Sequence, residues 1–235
     1  MRLDKYLADC GIASRSESKK LIKSGNVQVA GIHNLRPETQ IDPEAVAVTV
    51  RGVPVRYRRF VYLMLNKPQG YLSSTRDGRQ PIVLDLVPEE FRHFDLFPAG
   101  RLDIDTEGLC LLTNDGQLAH RILSPARHIP KTYYAKIKGK VTPEDVQHFS
   151  QGVILDDGYL TKPAQLEVLT YGEVSEIALT ITEGKFHQVK RMFLAVGKEV
   201  IYLKRIRMNR LELDPALPLG KMRELTEEEI SRLEG

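Results

Sequence analysis

Apolar residues change their rhythm along this chain, and each rhythm predicts an element. Leu3, Tyr6, Leu7 and Cys10 fall at i, i+3, i+4 and i+7, one stripe of a short helix that Gly11 stops. In "SRSESKKLIKSG", Ser14 with Glu17 three residues on is a capping box, and Gly25 closes the helix. Leu21 and Ile22 face inward on it, while Arg15, Lys19 and Lys23 recur every fourth residue as an outer ridge. "NVQVAGIHN" alternates valines ahead of an Ala30-Gly31 turn and predicts a hairpin; "AVAVTVRGVPV" predicts a further strand pair. The polar, proline-containing "VPVRYRRF" reads as a linker. Beyond it "FVYLML" is a buried-type strand closed by the breaker "NKPQG". Strands follow at "KTYYAKIKGKV", "AQLEVLTY" and "EIALTIT", and helices at "TPEDVQHFSQG", "HQVKRMFLAVG" and "TEEEISRLEG", the last capped by Thr226. Strands and helices mix without regular alternation, so the expected class is α+β with a largely antiparallel sheet. The change of texture places a small domain at 1–58 and a larger one at 59–235.

Composition and charge sharpen this picture. The chain has 235 residues, 42% hydrophobic, with no tryptophan and two cysteines, Cys10 and Cys110. That suits a protein of the reducing cytoplasm, without a disulfide framework or thiolate zinc site, and a monomer is the default expectation. No apolar run is long enough for a bilayer, and the N-terminus lacks a signal-peptide core. The net charge is +3, but residues 1–60 alone carry +5 and the rest −2. A second basic cluster lies in "GKFHQVKRMFLAVGKEVIYLKRIRMNR". Two separated basic regions fit a nucleic acid, and neither reads as an amphipathic membrane helix. A phosphate backbone would offset the like-charge repulsion of Arg15, Lys19 and Lys23, which otherwise form a solvated helix face.

The familiar catalytic signatures are missing: no phosphate loop, no dinucleotide fingerprint, no H-E-x-x-H and no nucleophile elbow. What remains is "GRLDIDTEGL" at 100–109, with acids at alternate positions 103, 105 and 107 before Gly108. A calcium loop starting at Asp103 needs a glutamate at its twelfth position, where this chain has Asn114. A tight polar turn accounts for Asp105, Thr106 and Glu107. Asp103 differs, because it shares the face of an extended segment with Arg101. Asp103 and Asp105, roughly 6–7 Å apart along a strand, also match the spacing of a glycosidase pair. The 7% of aromatic residues leaves few platforms for sugars. His187 lies inside the second basic cluster and reads as a structural or RNA contact.

Two resemblances make these readings concrete. Two short helices and a small basic sheet resemble the RNA-binding fold of ribosomal protein S-four. "LNKPQGY", "GRLDIDTEGLCLLTNDG", "KTYYA" and "EGKFHQVKRMFLAVG", in that order, resemble the pseudouridine synthases, specifically the ribosomal small subunit pseudouridine synthase A family. "TKPA" and "LTEEEI" match the same branch. The resemblance implies a catalytic domain that detaches a uracil from its ribose within RNA, turns it and rejoins it through carbon five, with no cofactor or metal. It implies Asp103 as the catalytic carboxylate, either attacking the anomeric carbon or drawing a proton from the neighbouring ribose carbon. Tyr133 is implied as the residue stacked on the flipped base, while Tyr134 beside it is expected in the core. Lys190 is implied as the cation paired with Asp103; Arg191 competes for that role, and otherwise contacts phosphate or protein. Arg101, Asn66, Lys67 and His187 are expected along the RNA path, with Arg15, Lys19 and Lys23 docking the head on RNA. The implied target is a uridine of small-subunit ribosomal RNA, free or in a pre-ribosomal particle. A large-subunit target and a non-catalytic RNA-binding assembly factor are the competing readings.

Overall fold

The computed structural model describes residues 1–234; Gly235, the last position of the expected C-terminal helix, lies outside them. The chain divides into two compact units, Met1–Val61 with Pro88–Asp95, and Tyr62–Val87 with Leu96–Gly235. No local pattern announces that residues 88–95 belong with the head. Their attachment is tertiary: the Arg58 guanidinium lies 5.9 Å from the Phe91 ring centre, and the His93 ring packs on Gly11.

The head holds α1 (Leu3–Asp9), α2 (Arg15–Lys23), β1 (Val27–Val29), β2 (Val48–Val50) and β3 (Val53–Val55). The capping box at Ser14 and Glu17 forms as the sequence predicts. Such a cap is worth about 1 kcal/mol. Leu3, Tyr6, Leu7, Ile22, Val27 and Val48 make the core, and the Tyr6 hydroxyl donates to the Val55 carbonyl at 2.9 Å. The hairpin expected at 27–34 is only a turn. Ala30 and Gly31 adopt positive φ and close a single bridge between Val29 and Ile32. β1 instead pairs antiparallel with β2, because Ile32 and the residues after it lie exposed and offer no buried face.

The second unit contains β4 (Tyr62–Lys67), β5 (Phe97–Pro98), β6 (Glu107–Thr113), α3 (Gly116–Leu123), β7 (Lys131–Lys138), α4 (Pro143–Gln151), β8 (Gln165–Thr170), β9 (Val174–Ile181), α5 (Gln188–Ala195), β10 (Glu199–Met208), β11 (Leu211–Glu212), β12 (Met222–Glu224) and α6 (Glu227–Glu234). The main sheet runs β12-β4-β6-β10-β7-β9-β8, with β5 on β6 and β11 on β10. Every pairing in it is antiparallel except β6 with β10. The α+β, mostly antiparallel expectation therefore stands. Leu63, Met64 and Leu65 in β4 are buried on both faces, and each such side chain contributes roughly 1.5–3 kcal/mol. α3 and α6 pack with Met64, Leu109, Leu111 and Met208, while α4 and α5 meet through Phe149 and Phe193.

Two elements go beyond the pattern's prediction. α3 begins at Asp115, whose carboxylate accepts from the Gln117 and Leu118 amides, a cap hidden inside "TNDG". β10 lies in the second basic cluster, and its charges masked its alternation. It nevertheless sits in the middle of the sheet. One row across the sheet reads Gly108, Arg205, Tyr133 and Leu179. Only glycine fits at its first position: φ is +99°, and a Cβ would lie 2.2 Å from the Arg205 carbonyl oxygen.

Candidate active site

The loop that carries Asp103 is held from beneath. Lys67, at the end of β4, is fully buried, and its ammonium donates to the carbonyls of Thr106 (2.9 Å), Asp103 (3.0 Å), Pro68 (3.1 Å) and Ile104 (3.3 Å). Three N–H protons shared among four carbonyls fix the path of residues 103–106. Burial pulls the Lys67 pKa down to about 8. Ser73 adds a second anchor, accepting from the Leu102 amide and donating to its carbonyl, both at 3.0 Å. Lys67 thus does not line an RNA path as the sequence reading expects. Asn66 is corrected with it: it is buried, and its amide donates to the Leu217 carbonyl at 2.8 Å. In a sheet whose strands are covered on both faces, residues ending a central strand point into protein rather than solvent.

Above this support the Asp103 carboxylate is 28% exposed at a cleft of about 670 Å³. Lys190, on α5, places its ammonium 3.4 Å from Asp103 Oδ2, and His187 Nε2 lies 3.8 Å from Oδ1. Tyr133, Arg101 and His187 line the same cleft. Four residues from three separate stretches of sequence, Asp103, Tyr133, His187 and Lys190, thus come together. Tyr133 is buried with one side on the cleft, whereas Tyr134 turns to the opposite face and stays half-exposed against Tyr202. That reverses the expected fate of Tyr134, since strand alternation sends adjacent tyrosines to opposite faces.

Asp105 is more than a turn residue. Lys190 Nζ sits 2.5 Å from its Oδ1, closer than to Asp103. Burial pushes the Asp105 carboxyl upward, but the Lys190 ammonium outweighs it and holds the group below the usual carboxylate range. Glu107 turns elsewhere and accepts from the Tyr202 hydroxyl at 2.6 Å. The three alternate acids therefore do not converge, and among the described residues no group of three or more His, Cys, Asp or Glu side chains is arranged for a metal ion.

Of the partners expected for Arg191, the protein contact is the one that forms, and its place along the RNA is corrected. Its guanidinium is held by Asp156 and Asp157 of the segment after α4, so it neither pairs with Asp103 nor offers a free cation to phosphate. On a helix, adjacent residues point about 100° apart, so Lys190 and Arg191 cannot both face the cleft. Glu183 completes the frame: it accepts from the Gln188 side chain, the Tyr159 hydroxyl and the Lys162 amide at 2.8–3.0 Å. Neither role was legible, because the partners are distant in sequence and carry no local pattern.

In the head, Arg15, Lys19 and Lys23 are exposed on α2, with Arg15 also 3.8 Å from Asp4. Among the described residues no helix is long and apolar enough to cross a membrane.

Residues 61–195 match the family model described as RNA pseudouridylate synthase, and residues 1–46 match the S4 domain. An uncharacterized RNA pseudouridine synthase of Bacillus subtilis is 54% identical over 99% of this chain and 98% of its own. The ribosomal small subunit pseudouridine synthase A of Escherichia coli is 44% identical, covering 98% of this chain and 99% of its own. A crystal structure of a pseudouridylate synthase aligns at TM-score 0.70 and 37% identity over 99% of both chains.

Proposed function

The chain belongs to the RNA pseudouridylate synthase family, enzymes that isomerise RNA, and we propose that it converts one uridine of small-subunit ribosomal RNA, with Asp103 as the reacting carboxylate. One observation carries the reading of the site: the Asp103 carboxylate stands 3.4 Å from a lysine ammonium at the edge of a cleft that Tyr133 also lines. The cleft's size suits a single flipped nucleotide. Extrusion of the target base costs a few kcal/mol, which stacking on Tyr133 offsets by about 1–3 kcal/mol. The Lys190 ammonium balances the charge of Asp103 at the cleft edge. Arg101 and His187 line the cleft, and in this reading they meet the nucleotide's sugar or phosphate. The small-subunit target rests on the relatives named for it. Arg15, Lys19 and Lys23 in the 1–58 head add phosphate contacts and hold the substrate by charge. No cofactor enters this reading, and the working form is a cytoplasmic monomer.

Mapping pseudouridines in ribosomal RNA from cells with and without the protein tests the target. Asp103→Asn tests the chemistry: product formation is lost while RNA affinity stays within about twofold. If the variant still accumulates pseudouridine, the role of Asp103 is wrong.

A further inference from the structure

Two cations at the sheet face of the cleft have no acid to balance them. Arg205 in β10 stands directly opposite Tyr133 in the β7–β10 ladder, and Lys131 precedes Tyr133 by two residues on β7. The two-residue period of a strand puts all three side chains on one face, and all three line the cleft. Arg205 is 1% exposed. Its Nε donates to the Leu109 carbonyl at 2.7 Å, but its Nη2 is buried without a hydrogen-bond partner. Lys131 donates only to the Ile129 carbonyl at 3.2 Å, and burial, reinforced by the charge of Arg205, pulls its pKa down to about 8. Neither has a carboxylate partner among the described residues. Elsewhere in this unit Lys190 is matched by Asp103 and Asp105, Arg191 by Asp156 and Asp157, and Lys198 by Asp145, while the buried Lys67 has four carbonyl acceptors. An unmatched pair facing a cleft is costly unless an anion arrives during the working cycle.

We propose that Lys131 and Arg205 form an anion subsite that receives the uracil ring as it leaves the ribose and holds the negative charge on its carbonyl edge. This rests on the reading of Asp103 and Tyr133 given above. When the bond between ribose C1′ and ring N1 breaks, both electrons pass to the ring, which becomes an anion spread over N1, O2 and O4. When C1′ then bonds to C5, the ring supplies the electron pair, C5 releases a proton and N1 takes one up, so nothing is gained or lost overall. A ring lying on Tyr133 has Arg205 about 5 Å to one side across the ladder and Lys131 about 6.6 Å along the strand. Those distances are comparable to the width of a pyrimidine. Donors fixed in advance where charge develops strengthen as the bond breaks, and so act on the rate more than on binding. A backbone phosphate is the competing anion, and it predicts the opposite split between binding and rate.

The test uses the full chain with a substrate RNA in single-turnover reactions, comparing Lys131→Gln and Lys131→Arg. The expected result is a loss of roughly a hundredfold in the rate at saturating RNA for Lys131→Gln. Its Kd stays within about twofold, and Lys131→Arg recovers most of the rate. Placing 5-fluorouridine at the target position gives a ring that is the more stable anion. The defect of Lys131→Gln, read as loss of the starting nucleoside, should then shrink to a few-fold. An unchanged rate at saturation with a weakened Kd and a shallower salt slope would assign the subsite to phosphate and overturn the proposal. So would an equal defect on both substrates. Asp103→Asn, run alongside, separates the two readings: if it is inactive while Lys131→Gln is not impaired, only the subsite falls.

Discussion

The head and the catalytic unit use the same two residue types, lysine and arginine, in opposite ways. On α2, Lys19 and Lys23 stand in solvent at helical spacing, where charge is cheap to maintain and screened by salt. In the catalytic unit most of the cations that matter are partly or fully desolvated, and each is defined by its partners. Lys67 serves four carbonyls, Lys190 two carboxylates and Arg191 two aspartates, while Lys131 and Arg205 have no acid at all. The lesson is that a basic residue's position in sequence says little about its task until its solvation is known. An exposed lysine attracts a polyanion. A buried one organises a backbone or tunes another charge.

The sharpest way to break the contrast is at Lys190. Lys190→Met removes the ammonium that Asp103 and Asp105 share, and the two carboxylates repel each other more strongly. Turnover should fall by at least about a hundredfold, with RNA affinity nearly unchanged, in single-turnover conversion compared with a binding titration. Equal losses in rate and affinity would make Lys190 an RNA contact like those expected on α2.

Next in size is Lys67→Met. It keeps the buried volume but leaves four carbonyls without their donor, at a cost of about 2–4 kcal/mol. Thermal unfolding should drop by roughly 5–15 °C, and the rate should fall because the Asp103 loop loses its anchor. A variant as stable as the parent would show that the loop holds itself.

The smallest effect belongs to the head. Lys19→Ala with Lys23→Ala should weaken RNA binding by roughly three- to tenfold and flatten the slope of log K against log salt by about 1.4–1.8. The rate at saturating RNA stays unchanged. A salt slope that does not move removes these lysines from the RNA contact.

The periodic features were legible. The Ser14–Glu17 cap, the β4 run and the helices α4 and α5 follow from spacing and capping chemistry, which act within a few residues. Asp103 stood out from its acidic neighbours by sharing the face of an extended segment with Arg101 and by the family resemblance, and it lines the cleft. What failed was the assignment of partners. Lys190 does stand beside Asp103 as expected, yet Lys67 and Asn66, expected along the RNA path, point into the protein, and Arg191 clasps Asp156 and Asp157. Arg205 gave no signal, because the strand that carries it was read as a charged cluster.

The sequence by itself determined which segments could be helix or strand and where the head's charge concentrates. Those properties depend on side-chain type and short-range spacing. Only the tertiary structure decided which cation meets which acid, that Gly108 must remain glycine against the Arg205 carbonyl, and that Lys131 and Arg205 face the cleft with no acid to balance them. Those depend on desolvation and on strand register between residues as much as about 100 positions apart, and no local window of sequence contains either.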